Sequence, residues 1–485
     1  MNSMLQYEYP IFDFSAPIEF ATRAEEAKSK NPPYRTDFMR DRDRVMYSGS
    51  FRRLAGKTQI YLAGKNDNQR NRLTHTLEVS QIARTISRAL GLDCDLTEAI
   101  ALGHDIGHTP FGHAGEQVLH EIMVPGSKVS IKNSPMAEGS ALVSSDERKL
   151  PLFGFKHNVQ SIRVAISVEN NYDNNGLNLT NYTLWGMLHH SSVCYKKGRV
   201  NTDICEPDYC KQYESFYSIP GSTRKEAWSF EAFVVAQADE IAQWHHDLED
   251  ALRGNAMSGS DVCNTLRRNL GSIMNAEDAS KLQALKRKRS IDTKYIADVS
   301  RIVVNTLVNR LIECSLYNLG MLWDEYVCDI KNKDDFFLNH DWSERKIKDA
   351  IKLGKLDETD RMIQFLESQY PNTISEKIHH SRDVERMNAK GQYIIKKLFQ
   401  AYFAHPQQLP DGIITQYMID IDQYSNFQKA SQAGMGAVRT KFEKLLSTEG
   451  AYGIREQIML MRRICDHIAG MTDHYAIEEY KNLYE

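Results

Sequence analysis

Apolar positions along most of this chain recur every three or four residues, and no long run of alternating β-branched residues interrupts them. That period places one face of successive helices against a core. Leu73, Leu77, Ile82, Ile86 and Leu90 form one such stripe, which Gly91 closes as a C-cap. The next helix is expected to begin at Asp95-Leu-Thr-Glu98, with Asp95 capping and Glu98 reaching back. It continues through Ala99, Ile100 and Leu102 and stops near Gly107 and Pro110. Between Val124 and Phe153 the pattern turns polar and irregular, which predicts a mobile surface loop or insertion. Helical texture returns from Phe155 to about Arg253, broken by the Asn-rich stretch at 170 to 181 and an irregular stretch at roughly 195 to 223. The final 190 or so residues are again amphipathic, and no repeat period supports a solenoid. The pattern therefore predicts an all-α fold. Its parts are an N-terminal extension (1–34), a helical core (35–255) with an insertion around 124–153, a charged linker or loop (256–295) and a C-terminal helical region (296–485).

A chain of 485 residues is long enough for two or three structural units and buries a large core without covalent help. Its 60 basic and 64 acidic residues give a net charge of -4, which excludes a polycationic coat for nucleic acid. The eight cysteines contain no CxxC pair, so reduced thiols in a cytoplasm are expected. The start lacks a basic stretch followed by an apolar one, and no segment reaches the roughly 18 apolar residues that span a bilayer. Neither secretion nor membrane insertion is expected.

The densest chemistry lies in Gly103-His104-Asp105-Ile-Gly-His108-Thr-Pro-Phe-Gly-His113-Ala-Gly-Glu116. His104 and His108 share a helical face if the helix persists, and a metal at a helix end could take both His104 and Asp105. His75 sits on the preceding helix, and the short turn at Gly91 makes the two helices antiparallel, bringing His75 and His104 to comparable heights. Asp239 interrupts the apolar run Phe233-Val-Val-Ala-Gln-Ala. An unpaired buried carboxylate is costly, and a metal is a good reason for one. A lone helical histidine is more often a surface or satisfied core residue. Two imidazoles with two carboxylates instead make a mixed site suited to Mn, Fe, Co, Ni or Zn, and less diagnostically Mg.

His75, His104-Asp105 and Asp239 resemble the H...HD...D pattern of the HD-domain phosphohydrolase superfamily. RLTHTLEV (72–79), GHDIGHTPFGHAGE (103–116), ADEIAQWHHDLEDAL (238–252) and DHIAGMTDHYAIEEY (466–480) are more specifically similar to the deoxyguanosine triphosphate triphosphohydrolase family. FRRLAGKTQI (51–60), FKHNVQSIRV (155–164) and HPQQLP (405–410) fit it too. The resemblance implies an all-helical metalloenzyme with an HD-domain catalytic core at 35–255. Residues 296–485 would complete the active site and an oligomer interface. The enzyme would convert a deoxynucleoside triphosphate (dGTP or other dNTPs) and water into deoxynucleoside and triphosphate. It further implies His75, His104, Asp105 and Asp239 as ligands of a divalent metal, Mn or Mg foremost. His113 becomes the proton-transfer residue with Glu116 tuning it, and His108 and His157 line the reaction centre. Gln59 would meet the sugar 3'-hydroxyl, and Asp247 the sugar or triphosphate. A homo-oligomer, with a hexamer favoured, and a dNTP or single-stranded nucleic-acid effector are further implications.

The chemistry suits these residue types. Attack on the α-phosphorus needs a nucleophilic water, neutralised phosphates and a proton for the leaving 5'-oxygen, and imidazole titrates in the right range. Residues 35 to 72 hold ten basic residues against four acidic, a local surplus of +6, and Arg72, one turn before His75, is the best phosphate ligand. The family's tyrosine four residues after the metal aspartate is Gln243 here, so base preference does not follow from the resemblance. Lys286-Arg-Lys-Arg289 reads as a solvated loop or a binding site for nucleic acid or a regulatory nucleotide. The Met471–Tyr475 block resembles a family segment near the active-site floor or an interface. Two other functions stay open: hydrolysis of nucleoside monophosphates or cyclic nucleotides, and a nucleotide or single-strand binding scaffold without turnover.

Overall fold

The computed structural model describes residues 13–25, 32–59, 70–127, 129, 131–137, 154–169, 176–192, 227–254, 257–288, 290–326, 337, 344–356, 382–448 and 452–485. Among them the regular structure is helical, with only two isolated β-bridges, Arg23 to Thr180 and Thr58 to Asn71. The fold is all-α. No helix among the described residues is long and apolar enough to cross a membrane.

The first half is built on α1 (Asp37–Met46), α2 (Gly49–Arg53), α3 (Arg72–Leu90) and α4 (Cys94–Gly103). Asn71 starts α3 by accepting the Thr74 amide at 2.9 Å while Thr74 returns a bond to the Asn71 backbone, and Gly91, at φ 73, ends it. Leu77 of the expected stripe is 49% exposed, so the buried face runs instead through His75, Val79, Ile82, Ala83 and Ile86. The cap of α4 is Asp93 rather than Asp95: its Oδ1 accepts from Asp95 N and Leu96 N, both at 2.8 Å. The helix ends at Gly103, so His104 and His108 do not share a helical face; they lie on the turn that leads to α5 (Gly112–Ile122).

That turn is tightly fitted. A side chain at Gly107 would come within 2.1 Å of Ser161 N and 2.4 Å of His157 O, so only glycine lets the turn lie against α6 (His157–Arg163). Phe111 closes it in the left-handed region, at φ 61. The half is completed by α7 (Asn181–His189) and the long α8 (Phe230–Arg253), which packs on α3, α4 and α7. Residues 13–25 join it: Phe14 meets Phe230 edge-on at 5.7 Å, and Ala16 N donates to Glu231 Oε1 at 3.1 Å.

Two stretches differ from the pattern reading. Most of the expected charged linker forms α9 (Gly259–Leu270) and α10 (Ala276–Lys286), whose Leu266, Leu270, Leu282 and Leu285 enter the first core. Charged residues occupy their outer faces, so composition alone concealed two amphipathic helices. Lys286, Arg287 and Lys288 are exposed, and Arg289 lies outside the described residues. Within the expected surface insertion, Val124 is buried, Ile131 and Met136 enter the second core, and Gly126 N donates to Met136 O at 2.9 Å; residues 138–153 lie outside the described residues. All of 195 to 223, like the Asn-rich 170–175, is also outside them.

Helices α11 (Thr293–Tyr326) and α12 (Glu344–Ala350) complete the first core. The second core gathers α5 with α13 (Arg382–Ala404), α14 (Asp411–Asp420), α15 (Phe427–Ala433), α16 (Met435–Ser447), α17 (Ile454–Ala469) and α18 (Asp473–Tyr484). Because Ile106 of the 104–111 turn belongs to the first core and Phe111, with α5, to the second, the turn lies at their seam.

Candidate metal centre and active site

Three helices converge at that seam. His75 comes from α3, His104 and Asp105 from the turn after α4, and Asp239 from α8. His75 Nε2 lies 3.0 Å from Asp239 Oδ1 and 4.0 Å from Asp105 Oδ2. His104 Nε2 lies 3.6 Å from Asp105 Oδ1 and 3.9 Å from Asp239 Oδ1. The end of α4 explains why adjacent residues serve one centre: the chain turns there, freeing His104 and Asp105 from helical spacing.

The donor set fits a cation. His104 Nδ1 donates to Ala101 O at 2.6 Å, which fixes the tautomer and leaves Nε2 as a lone pair. That Nε2 is buried with no hydrogen-bond partner among the described residues, a costly state that a metal relieves. Burial opposes ionisation of Asp105, but His108, His104 and the Arg72 guanidinium outweigh it and hold the carboxyl well below its ordinary range. Asp239 is likewise held low against burial by the hydrogen bond from His75 and the fields of His104, His75 and His190. Both groups are therefore carboxylates at neutral pH.

Beside this centre stands a second array. His108 Nε2 is 3.1 Å from Asp105 Oδ1, and its ring stacks on His157 at 4.0 Å between centroids. Burial and Arg72 depress the His108 pKa, so the imidazole is neutral. Glu116, fully buried, faces His157 Nδ1 at 3.1 Å, Lys156 Nζ at 3.2 Å and His113 Nδ1 at 3.4 Å. Burial raises this carboxyl, yet His157, His113 and Lys156 hold it well below its usual value. The His113 side chain is 66% exposed, so a solvent-facing imidazole is backed by a buried anion.

The substrate-side expectations are placed as follows. Arg72 is buried and donates from Nη1 to Asp105 Oδ2 at 2.8 Å; its Nε has no partner among the described residues. The rest of the basic surplus is largely engaged elsewhere: Arg35 with Asp43, Arg42 with Asp95, Arg53 with Glu169 and Arg70 with Glu249. Lys65 lies outside the described residues. Gln59 has a buried Oε1 without a partner among the described residues and a backbone oxygen that a side chain at Gly112 would approach to 3.7 Å. Asp247 is buried on α8, eight residues beyond Asp239 and so about 12 Å along the helix. Gln243 is half-buried on the same helix.

Sequence reasoning missed three participants. His190, buried at the end of α7, donates from Nδ1 to Met187 O at 2.8 Å and sets its ring 4.9 Å from that of His104. Burial, His104 and His157 push its pKa down to about 3. A histidine ending the apolar run YTLWGML was the available signal. Lys57, wholly buried, donates to the His108 carbonyl and to Ala469 O at 2.8 Å, tying the turn to α17. Asp473, left between floor and interface, lies under the turn: Oδ1 accepts from Phe111 N and Oδ2 from Thr58 N, both at 2.9 Å.

A profile described as the HD domain matches residues 72–149, the stretch that supplies His75, His104 and Asp105, and one described as a phosphohydrolase-associated domain matches 439–482, around Asp473. Fold and site together define an HD-domain hydrolase. Similarity covers nearly the whole chain. A deoxyguanosinetriphosphate triphosphohydrolase-like protein of Rhizobium leguminosarum bv. trifolii (strain WSM2304) is 31% identical over 454 residues, 93% of this chain and 90% of the relative. A protein of the same description from Parvibaculum lavamentivorans (strain DS-1 / DSM 13023 / NCIMB 13966) is 30% identical over 484 residues, 98% of each chain. The chain belongs to the deoxyguanosinetriphosphate triphosphohydrolase-like family of HD-domain proteins.

Proposed function

We propose that the protein hydrolyses deoxynucleoside triphosphates, dGTP and other dNTPs, to deoxynucleoside and inorganic triphosphate by attack of water at the α-phosphorus. The observation that carries this reading is the meeting of the His75, His104, Asp105 and Asp239 donor atoms beside the exposed His113 and its buried partner Glu116. A divalent cation held by those four residues, Mn or Mg foremost and Fe, Co, Ni or Zn on the same donor set, supplies Lewis acidity and neutralises phosphate charge.

The chain's own residues do the rest. His113 Nε2 delivers a proton to the leaving 5'-oxygen, while Glu116 accepts from Nδ1 and stabilises the imidazolium. The stacked His108 and His157 line the centre, His157 held by Glu116 and His108 by Asp105. Arg72 holds the Asp105 carboxylate and adds a fixed positive charge at the edge of the centre. Gln59 meets the sugar 3'-hydroxyl through its buried Oε1, and Asp247 the sugar or triphosphate end. Gln243 in place of the family tyrosine changes the sugar or phosphate contact, so broad dNTP use fits as well as dGTP preference. Assembly as a homo-oligomer, a hexamer by family resemblance, and control by a dNTP or single-strand effector belong to the same proposal and rest on that resemblance alone.

The test incubates pure protein with each of the four dNTPs, with Mn or Mg, and separates the products. Triphosphate with deoxynucleoside is the expected outcome. Orthophosphate, or monophosphate with pyrophosphate, would overturn the reading. Light scattering of the purified chain, with and without dNTP, reads the assembly.

A further inference from the structure

The face-to-face packing of α3 and α8 carries more than the ligand pair. On α3, His75 and Glu78 are three residues apart; on α8, Asp239 and His246 are seven apart. Both spacings keep each pair on one helical face, so the helices oppose each other through two rungs. The first is His75 Nε2 with Asp239 Oδ1 at 3.0 Å. The second is His246 Nε2 with Glu78 Oε2, in direct hydrogen-bond contact. The rungs are joined diagonally, since His75 Nδ1 lies 3.4 Å from His246 Nδ1.

The protons along this chain can be placed. If His75 binds a cation through Nε2, its ring proton sits on Nδ1. His246 Nδ1 then accepts, and the one proton of His246 sits on Nε2, where the Glu78 carboxylate takes it. Every bond has one donor and one acceptor, and the chain ends on an anion. His246 is buried, while the Glu78 side chain is 37% exposed and is steadied by His245 Nε2 at 3.3 Å and Arg70 Nε at 3.3 Å. Behind His104, among the described residues, stands a backbone carbonyl, that of Ala101. Among the described residues, His75 is the ligand backed through a second imidazole by a carboxylate.

We propose that Glu78 and His246 are positioning residues that fix the tautomer of His75, raise its basicity and so set the affinity of the centre for its divalent cation. This rests on the ligand assignment under Proposed function. Removing such an outer partner typically weakens metal binding roughly ten- to a hundredfold.

The experiment measures Mn binding to the full chain by competition with a chelating indicator, together with the visible absorption of the Co-loaded protein. Glu78→Gln, which keeps shape and removes the terminal anion, is expected to raise the Mn Kd at least tenfold and to shift the Co bands. His246→Asn, which offers His75 an acceptor but no longer reaches Glu78, is expected to do the same. Glu249→Gln weakens the neighbouring ion pair with Arg70, 3.0 Å long, while His75, His246 and the Glu78 carboxylate stay in place, and should leave both readouts unchanged. A Kd within twofold of wild type and an unaltered Co spectrum in Glu78→Gln would overturn the proposal, as would an equal loss in Glu249→Gln. Asp239→Ala separates the two claims. If it abolishes Mn binding while Glu78→Gln does not weaken it, the ligand set stands and the relay falls. If Asp239→Ala still binds Mn as wild type does, both fall.

Discussion

Asp473 holds the catalytic turn from the far end of the chain, and its removal should uncouple the two halves of the site. In Asp473→Ala the Phe111 and Thr58 amides, each now bonded at 2.9 Å, lose their acceptor inside the protein. Two buried, unsatisfied N–H groups cost about 2–6 kcal/mol together, at 1–3 each. Asp473→Asn can keep one oxygen facing the two Thr58 donors, so it should cost about half and act mainly on Phe111. Phe111 is held at φ 61, a conformation that costs a non-glycine residue about 1–3 kcal/mol. Unsupported, the turn relaxes, and the fraction of molecules presenting His113 correctly falls roughly five- to a hundredfold. The assay pairs urea unfolding with dNTP turnover at saturating metal. A kcat loss of that size with one metal still bound per chain is expected in both variants. Wild-type kcat in Asp473→Asn, or loss of metal in step with loss of activity, would refute the reasoning.

Replacing His113 by alanine should lower kcat about 10²–10⁴-fold without releasing the metal, read by turnover and metal content. Asp239→Ala should lose the metal while keeping its helical circular dichroism; an intact stoichiometry would remove Asp239 from the ligand set. Glu231→Gln tests a structural titration. Burial raises this carboxyl to about 7 from 4.5, so its cost to stability is absent below about pH 4.5 and complete above about pH 7. Wild-type stability should therefore fall across that window, and the variant should flatten the fall by up to roughly 3 kcal/mol, measured by denaturation at pH 4.5 and pH 8. Asp250, also held at about 7 by burial, contributes the same slope and remains in the variant.

The all-helical fold was legible because burial imposes the 3.6-residue period on the sequence itself. Gly91 could be placed as a cap because a left-handed residue after a helix favours glycine. The error at Asp95 shows the limit: Asp93 and Asp95 both look like caps, and only the path of the backbone selects one. The 256–295 stretch was misread because charged outer faces masked the apolar stripe through Leu266, Leu270, Leu282 and Leu285. At the site, His75, His104, Asp105 and Asp239 stand out as chemistry-bearing residues in local motifs. Their convergence depends on α4 stopping at Gly103. Asp473 and Thr58 are separated by 415 residues, and Lys57 reaches Ala469 across 412. Periodicity carries no information about such contacts. His190 and His246 were overlooked for a related reason, since each acts only through a neighbour on another helix.

The central claim is hydrolysis at the α-phosphorus, and turnover of a dNTP in ¹⁸O-labelled water tests it most directly. The account predicts one labelled oxygen in the inorganic triphosphate and none in the deoxynucleoside, because the bond from phosphorus to the 5'-oxygen breaks. Label in the deoxynucleoside, or its appearance in orthophosphate or a nucleoside monophosphate as the primary product, would contradict it.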